Sequence, residues 1–304
     1  MAHMNCPAWR EVVTQTERAL ACGALRSFET VQRVIEDSGV RFLVRQAANL
    51  ARKEEASKLA AKTTADAAST WRDPFSPCEE SLRVGDIGER HFLLLNKFNV
   101  LAHHLLVVTT DFEPQESLIN ADDFAALFAC LDRFEGLGFY NGGEVAGSSQ
   151  PHKHLQIVPL PLDADASPAL PIEPCIEAAR TSGVFRAPQL AFTHAAAWLD
   201  RDDRDHRDHR DNDAKNAHAT YLQLLNAIGI EPLDVAGVAH QSAPYNLLVT
   251  RRWMLAVPRR VSHVEGVAVN ALGFAGSLFV RDDVQRGIVE SRGPMKLLAD
   301  ATIS

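Results

Sequence analysis

Apolar residues recur along this chain with two different periods, and the places where the period changes mark its elements. Phe124, Leu127, Phe128, Leu131 and Phe134 follow one another at steps of three and four, the spacing of one helix face. Asn120 is placed to cap that helix, and Asp122 and Asp123 fall in its first turn, at the positive end of its dipole. Gly136 and Gly138 are expected to end it. Residues 91–100 and 103–110 are apolar and β-branched with a short connection, which predicts an antiparallel pair. Pro151 suits the first residue of a further strand whose apolar run stops at Pro159 and Pro161. Strand, strand, helix, loop, strand describes an α+β layer. The first 60 residues read as helical, with Trp9, Val12, Val13 and Leu20 on one face and Val31, Val34 and Ile35 continuing after a break at Gly23. Residues 52–70, rich in Lys, Ala, Thr and Ser, read as a mobile or weakly helical loop. Downstream the pattern predicts a helix over Ala217–Ile228, strands over Tyr245–Thr250 and Met254–Val257, and a final helix containing Ala271–Val280.

The chemistry concentrates in the strand after Pro151. His152, His154 and Gln156 are spaced by two, so in a strand they leave one face of the sheet while Lys153, Leu155 and Ile157 leave the other. One imidazole in such a row can attack a phosphorus while its neighbours hold the oxygens. Upstream, Asn141-Gly142-Gly143 and Gly147-Ser148-Ser149-Gln150 form a small polar loop whose amides and hydroxyls suit phosphate. His-x-His on a strand also serves metals or ordinary half-buried histidines, but no cysteine or carboxylate lies in this strand to complete a metal set.

The segment His152-Lys153-His154-Leu155-Gln156 resembles the histidine-triad superfamily signature in its transferase form, with Gln in place of the hydrolases' third His. The nearer resemblance is to the diadenosine tetraphosphate phosphorylases, also called ATP adenylyltransferases. It is carried as well by Leu95-Asn96-Lys97-Phe98-Asn99-Val100, His104-Leu105-Leu106-Val107-Val108-Thr109, Gly138-Phe139-Tyr140, Tyr245 through Met254 and Asn270 through Gly276. The resemblance spans about residues 30–295. It implies a histidine-triad-like antiparallel sheet flanked by helices and elaborated by N- and C-terminal segments. It also implies phosphorolysis of diadenosine tetraphosphate to ADP and ATP through an adenylyl-histidine on His154, the group flanked by His152 and Gln156. By the same resemblance Asn141 and Gly147, Ser148, Ser149 and Gln150 would hold phosphate oxygens, and Lys97, with Asn96 beside it, would neutralise charge. Lys53 would serve similarly, and Asn270, Ala271, Leu272, Ser277 and Arg281 would meet the nucleotide. No metal site and no required cofactor are expected, although a divalent cation such as Mg can accompany the nucleotide. Other histidine-triad transferases, such as hexose-1-phosphate nucleotidylyltransferases, and an idle nucleotide sensor are the competing readings.

Composition narrows the partners. A formal net charge of −8 argues against a nucleic-acid polymer, which needs a basic stripe, but leaves room for dinucleoside polyphosphate, ATP, ADP and phosphate. Candidate local cations are Lys97, Lys153, Arg251, Arg252 and Arg281. No apolar run approaches a membrane span and no signal peptide appears. The five cysteines, Cys6, Cys78, Cys130 and Cys175 among them, lack metal or disulfide spacing, which points to a reduced cytoplasm. A monomer or simple homodimer is expected. Met1-Ala2-His3-Met4 reads as an appended leader, so residues 1–4 are set apart and His3 is excluded from the site. The remainder divides into an N-terminal catalytic region (5–198), a charged flexible loop (199–215) and a C-terminal region packing on the same core (216–304). Asp-Arg repeats around His206 and His209 contain nothing to bury and read as solvated rather than metal-binding.

Overall fold

A computed structural model describes residues 5–47, 71–164, 167–199 and 210–303. Helix α1 (Trp9–Ala21) is followed by strands β1 (Thr30–Asp37), β2 (Val40–Ala47), β3 (Arg83–Ile87), β4 (His91–Leu95) and β5 (Leu105–Thr109). Helix α2 (Ala121–Leu131), β6 (Gly136–Gly142), β7 (His154–Pro159), α3 (Glu173–Ala178), β8 (Val184–Phe185) and β9 (Ala195–Trp198) complete the first part. Then come α4 (Arg210–Ala227), β10 (Pro232–Val235), β11 (Val238–Gln241), β12 (Tyr245–Val249), β13 (Trp253–Pro258), β14 (His263–Val264) and β15 (Val267–Ala268). The chain closes with α5 (Ala271–Phe274), β16 (Ser277–Val280), α6 (Asp283–Arg292) and α7 (Pro294–Asp300).

Nine strands form one sheet in the order β3-β4-β5-β7-β6-β12-β13-β9-β8. Every neighbouring pair in it is antiparallel. The first five of these strands and the last four come from the two halves of the sequence read here as catalytic and C-terminal, apart from β8 and β9, so both halves share one sheet, with an apolar cluster on each of its faces. The α+β reading holds. Helix α2 starts where its capping residues place it: the Asn120 side chain accepts from the Asp122 and Asp123 amides, and Asp123 accepts from the Asn120 amide in return. Its apolar face lies so close to the sheet that a Cβ on Gly138 would stand 2.8 Å from Leu127 Cδ1. Gly136 and Gly138 therefore do not end the helix, which stops at Leu131; they belong to β6 and let α2 approach.

Three other expectations are corrected. Val31, Val34 and Ile35 are not helical but lie in β1, which pairs with β2 across a tight turn at Ser38 and Gly39, both at positive φ (52° and 78°). Most of β1 is exposed, so no alternation disclosed it. Ala271–Val280 is not one helix: Gly276, at φ 95°, turns the chain from α5 into β16, which pairs parallel with β2 in a separate three-stranded sheet. The charged loop was read as reaching residue 215, whereas α4 already begins at Arg210; His206 and His209 lie outside the described residues. Residues 52–70 also lie outside them.

Candidate active site

Strands β6 and β7 part at one end, and the candidate site lies there. Strands β6 and β7 pair from Gly136↔Pro159 to Phe139↔Gln156 and no further, while β6 continues along β12 as far as Gly142↔Tyr245. The gap beyond Gln156 is filled by Gln115, whose Oε1 accepts from the His154 amide (2.9 Å) and whose Nε2 donates to the Asn141 carbonyl (2.9 Å). Nothing in the sequence pattern singled out Gln115; only the divergence of the strands gives it a purpose.

On β7 the expected alternation holds. Leu155 and Ile157 join the apolar layer that contains Leu127, whereas His154 and Gln156 leave the other face. His154 is 4% exposed, and its Nδ1 donates to the His152 carbonyl (2.8 Å). A carbonyl can only accept, so the ring carries its proton on Nδ1, and Nε2 keeps a lone pair. Burial lowers the His154 pKa to about 4 against the opposing hydrogen bond to the His152 carbonyl, so the ring is neutral at physiological pH. Phe75 stands edge-on against it, with ring centroids 5.4 Å apart.

His152 precedes the strand, at a lone bridge with Pro114. Its two ring nitrogens are both engaged by the protein: Nδ1 with Asp73 (2.7 Å), Nε2 with the Thr109 carbonyl (2.9 Å) and hydroxyl (3.0 Å). The imidazole is thus spent on position, and it is the His152 carbonyl that sets its neighbour's tautomer. Asp73, 79 residues upstream, gave no sequence signal. Gln156 Oε1 meets His104 Nε2 at 2.9 Å, and His104 Nδ1 meets the Asn96 side-chain amide at 3.2 Å. His104 belongs to the segment His104–Thr109 but is not among the site residues that the sequence suggests. Its signal was the alternation of 104, 106 and 108 against the register of 156 and 154.

The polar loop between β6 and β7 is built as expected. Gly143 (φ 87°) and Gly147 (φ 100°) turn it, Ser148 N–H donates to the Gly143 carbonyl, and Gly147 and Ser149 are exposed. A Cβ on Gly147 would stand 2.8 Å from Asn270 Cβ, so the loop sits directly on Asn270. Asn141 is more occupied than anticipated. Its Oδ1 accepts from Asn246 Nδ2 (2.8 Å) and from the Ala271 amide (3.0 Å), joining β6, β12 and α5. Asn246 is held in turn by Arg259 Nη1 (2.5 Å), a buried guanidinium whose pKa desolvation lowers to about 9. Asn270 spends its Oδ1 on the Leu272 amide, and Ala271 and Leu272 are buried.

Other candidates are engaged with partners of their own. Ser277 is fully buried in the small sheet and its hydroxyl accepts from Arg45 (2.5 Å), which leaves it no surface for a nucleotide. Arg281 follows the same strand and contacts Asp282 (3.0 Å). Lys97 is paired with Glu79 (2.6 Å). Lys153 leaves the opposite face of the sheet: it is buried, 2.6 Å from Asp123 and 3.1 Å from Glu113. Arg251 and Arg252 pair with Asp132 and with Glu173 and Glu177. Lys53 lies outside the described residues. Among the described residues no three His, Cys, Asp or Glu side chains converge as metal ligands, and no helix is long and apolar enough to cross a membrane.

A neutral, tautomer-fixed histidine beside a carboxamide and a glycine-turned loop forms a candidate nucleotidyl-transfer site. A family model described as the Ap4A phosphorylase N-terminal domain matches residues 3–178, and one described as the ATP adenylyltransferase C-terminal domain matches residues 188–304. The chain belongs to this family of nucleotidyltransferases. It is 29% identical over 269 residues to diadenosine 5',5'''-P1,P4-tetraphosphate phosphorylase 2 of Saccharomyces cerevisiae, covering 80% of this chain and 77% of that one. It is 27% identical over 238 residues to the Saccharomyces cerevisiae protein APA1, covering 69% of each. The crystal structure of yeast Ap4A phosphorylase Apa2 superposes with a TM-score of 0.78 at 21% identity, over 100% of this chain and 99% of that one. The same enzyme in complex with Ap4A gives a TM-score of 0.77.

Proposed function

We propose that this enzyme splits diadenosine tetraphosphate with inorganic phosphate, giving ATP and ADP, with His154 as the nucleophile. The observation that carries the mechanism is the state of His154: uncharged, Nδ1 tied to the His152 carbonyl, and Nε2 holding the lone pair. An anionic nucleophile is repelled by the oxygens of a polyphosphate; a neutral imidazole is not. Nε2 attacks the α-phosphorus of one adenylyl group, the N–P bond forms, the bond to the bridging oxygen breaks, and ATP departs with that electron pair. An oxygen of inorganic phosphate then attacks the adenylyl-histidine, the N–P bond breaks, and ADP leaves.

ATP is a stable anion, so the first step does not require a strong general acid. A carboxamide at Gln156, which donates hydrogen bonds but moves no proton, is sufficient there. In the Gly147–Gln150 loop the Gly147 and Ser148 amides donate to the Glu144 and Gly143 carbonyls, so Ser149 and Gln150 would supply the backbone donors to phosphate oxygens, as preorganised donors at a transferring group should. Lys97 and Arg281 would assist only by leaving their present carboxylate partners. The chemistry needs no resident cofactor, and a divalent cation would enter with the polyphosphate. Five unbridged thiols support residence in a reducing compartment such as the cytoplasm, and the protein is expected to act as a monomer or simple homodimer.

The test is incubation with diadenosine tetraphosphate with and without phosphate, followed by separation of products. ATP and ADP in equal amounts, dependent on phosphate, are expected. ATP and AMP formed at the same rate without phosphate would overturn the reading in favour of hydrolysis.

A further inference from the structure

The hydrogen bonds behind Gln156 can be assigned one at a time from a backbone group whose role is not in doubt. The Phe98 amide N–H approaches Asn96 Oδ1 at 3.4 Å. An amide N–H only donates, so the atom facing it is the Asn96 oxygen, and the Asn96 NH2 is turned to His104 Nδ1 (3.2 Å). That NH2 donates, so Nδ1 accepts and bears no proton. In the neutral ring the proton then sits on Nε2, which faces Gln156 at 2.9 Å. Nε2–H donates, so the Gln156 atom it meets is the oxygen, and both Gln156 amide protons are turned away from His104. Side-chain amides and imidazoles are two-fold ambiguous by themselves; the backbone N–H removes the ambiguity along the chain. The Asn96 amide also donates to the His104 carbonyl (2.8 Å), which holds the two residues together. His104 is buried and its ring lies 5.7 Å from that of Phe139, so it is confined on this side too.

We infer that Asn96 and His104 are positioning residues that fix the orientation of the Gln156 carboxamide, so that its N–H donors rather than its oxygen are presented at the reacting phosphate. If the amide turned over, an oxygen would face the phosphate oxygens and repel them. This rests on the proposed phosphorolysis and assigns Asn96 a place different from direct phosphate contact. A phosphate-binding Asn96 would act on KM; a residue that sets the Gln156 amide acts mainly on kcat, because the donor matters most where charge develops.

The experiment has an arm that does not depend on turnover. In nitrogen-15 spectra of the unliganded protein, His104 should show a protonated Nε2 and a bare Nδ1; the opposite tautomer would overturn the inference whatever the enzyme's activity. In the kinetic arm, His104→Phe, His104→Gln and Asn96→Ala are compared with the parent in phosphorolysis. His104→Phe and Asn96→Ala should lower kcat by about 10- to 100-fold, with KM within about threefold, short of the loss for deleting an oxyanion donor outright. His104→Gln places an amide N–H near the position of Nε2 and should recover most of kcat. Equal losses in His104→Gln and His104→Phe, or a loss confined to KM, would overturn it. A parent protein that shows no phosphorolysis but has the expected tautomer would refute the proposed function and leave the hydrogen-bond assignment standing.

Discussion

Asp123→Asn should destabilise this protein by about 3 kcal/mol without touching the face that carries His154. The carboxylate is fully buried, and its two oxygens serve three groups. Oδ1 takes His91 Nε2 (2.8 Å), and Oδ2 takes both Lys153 Nζ (2.6 Å) and the Asn120 amide (2.8 Å). An asparagine has one oxygen, so its NH2 must face either the Lys153 ammonium or the His91 ring. Breaking one side of a buried ion pair costs about 3–5 kcal/mol, and Glu113, still 3.1 Å from Lys153, places the expectation at the lower end. A second route gives a similar order. Burial raises the Asp123 pKa, but the His91 hydrogen bond and the Lys153 charge outweigh it and bring the value from 3.8 down to about 2. At about 1.4 kcal/mol for each tenfold change, that is about 2.5 kcal/mol. The sign follows: a carboxyl depressed by folding stabilises fully above its unfolded value and loses that contribution as pH falls from about 4 towards 2. Urea unfolding at neutral pH, followed by circular dichroism, measures the loss. Repeating it at descending pH should show a steeper fall for the parent than for the variant. The double variant with Lys153→Met separates the pair from its surroundings. A loss below about 1 kcal/mol, or a cycle in which the two single losses simply add, would refute the reasoning.

The His154 pKa of about 4 implies that single-turnover adenylyl transfer is flat above about pH 5 and falls below pH 4 as the ring is protonated; a limb near 6.5 in that rate would refute it. Gln156→His should raise AMP relative to ADP at saturating phosphate, because an imidazole there can take a proton from attacking water, a form of help worth about two to four orders of magnitude where it operates; an unchanged product ratio would place acceptor choice elsewhere. Gly147→Ala meets both a φ of 100° and a Cβ clash with Asn270 at 2.8 Å, so KM for the dinucleotide should rise about tenfold, and an unaltered KM would remove the loop from phosphate binding.

The parts of the fold that were legible in the sequence are those with a face to declare. Helix α2 announced itself by its cap and an apolar stripe, and β7 by polar residues alternating with apolar ones between prolines. Strand β1 had no such contrast. Its Val31, Val34 and Ile35 fall at helical spacing by accident, and Ser38-Gly39 is a weaker turn signal than Asn-Gly. Strand β16 was hidden because nothing in Ala271–Val280 marks a break until the positive φ of Gly276 is seen. In the site, His154 and Gln156 were legible because they are neighbours in sequence. Asp73, His104 and Gln115 complete them only through register and strand divergence, which one chain read in isolation does not reveal. The place of Lys153 was legible by the same alternation: it sits between two site residues in sequence and, on a strand, that puts it behind them.

That position has a consequence for how the chain finds its own alignment. Sliding β7 by a single residue against β5 and β6 would drive the Lys153 ammonium towards the open face and press an imidazole into the pocket of Asp123 and Glu113. The carboxylates would lose their cation, Gln156 would be pressed into the apolar layer, and Leu155 and Ile157 would be turned out of the core. A one-residue slip of the strand is therefore penalised twice, by charge and by oil. The behind-the-sheet ion cluster acts as a proofreading device for the register on which the nucleophile depends, and a lysine that never meets the substrate helps to determine whether there is an active site at all.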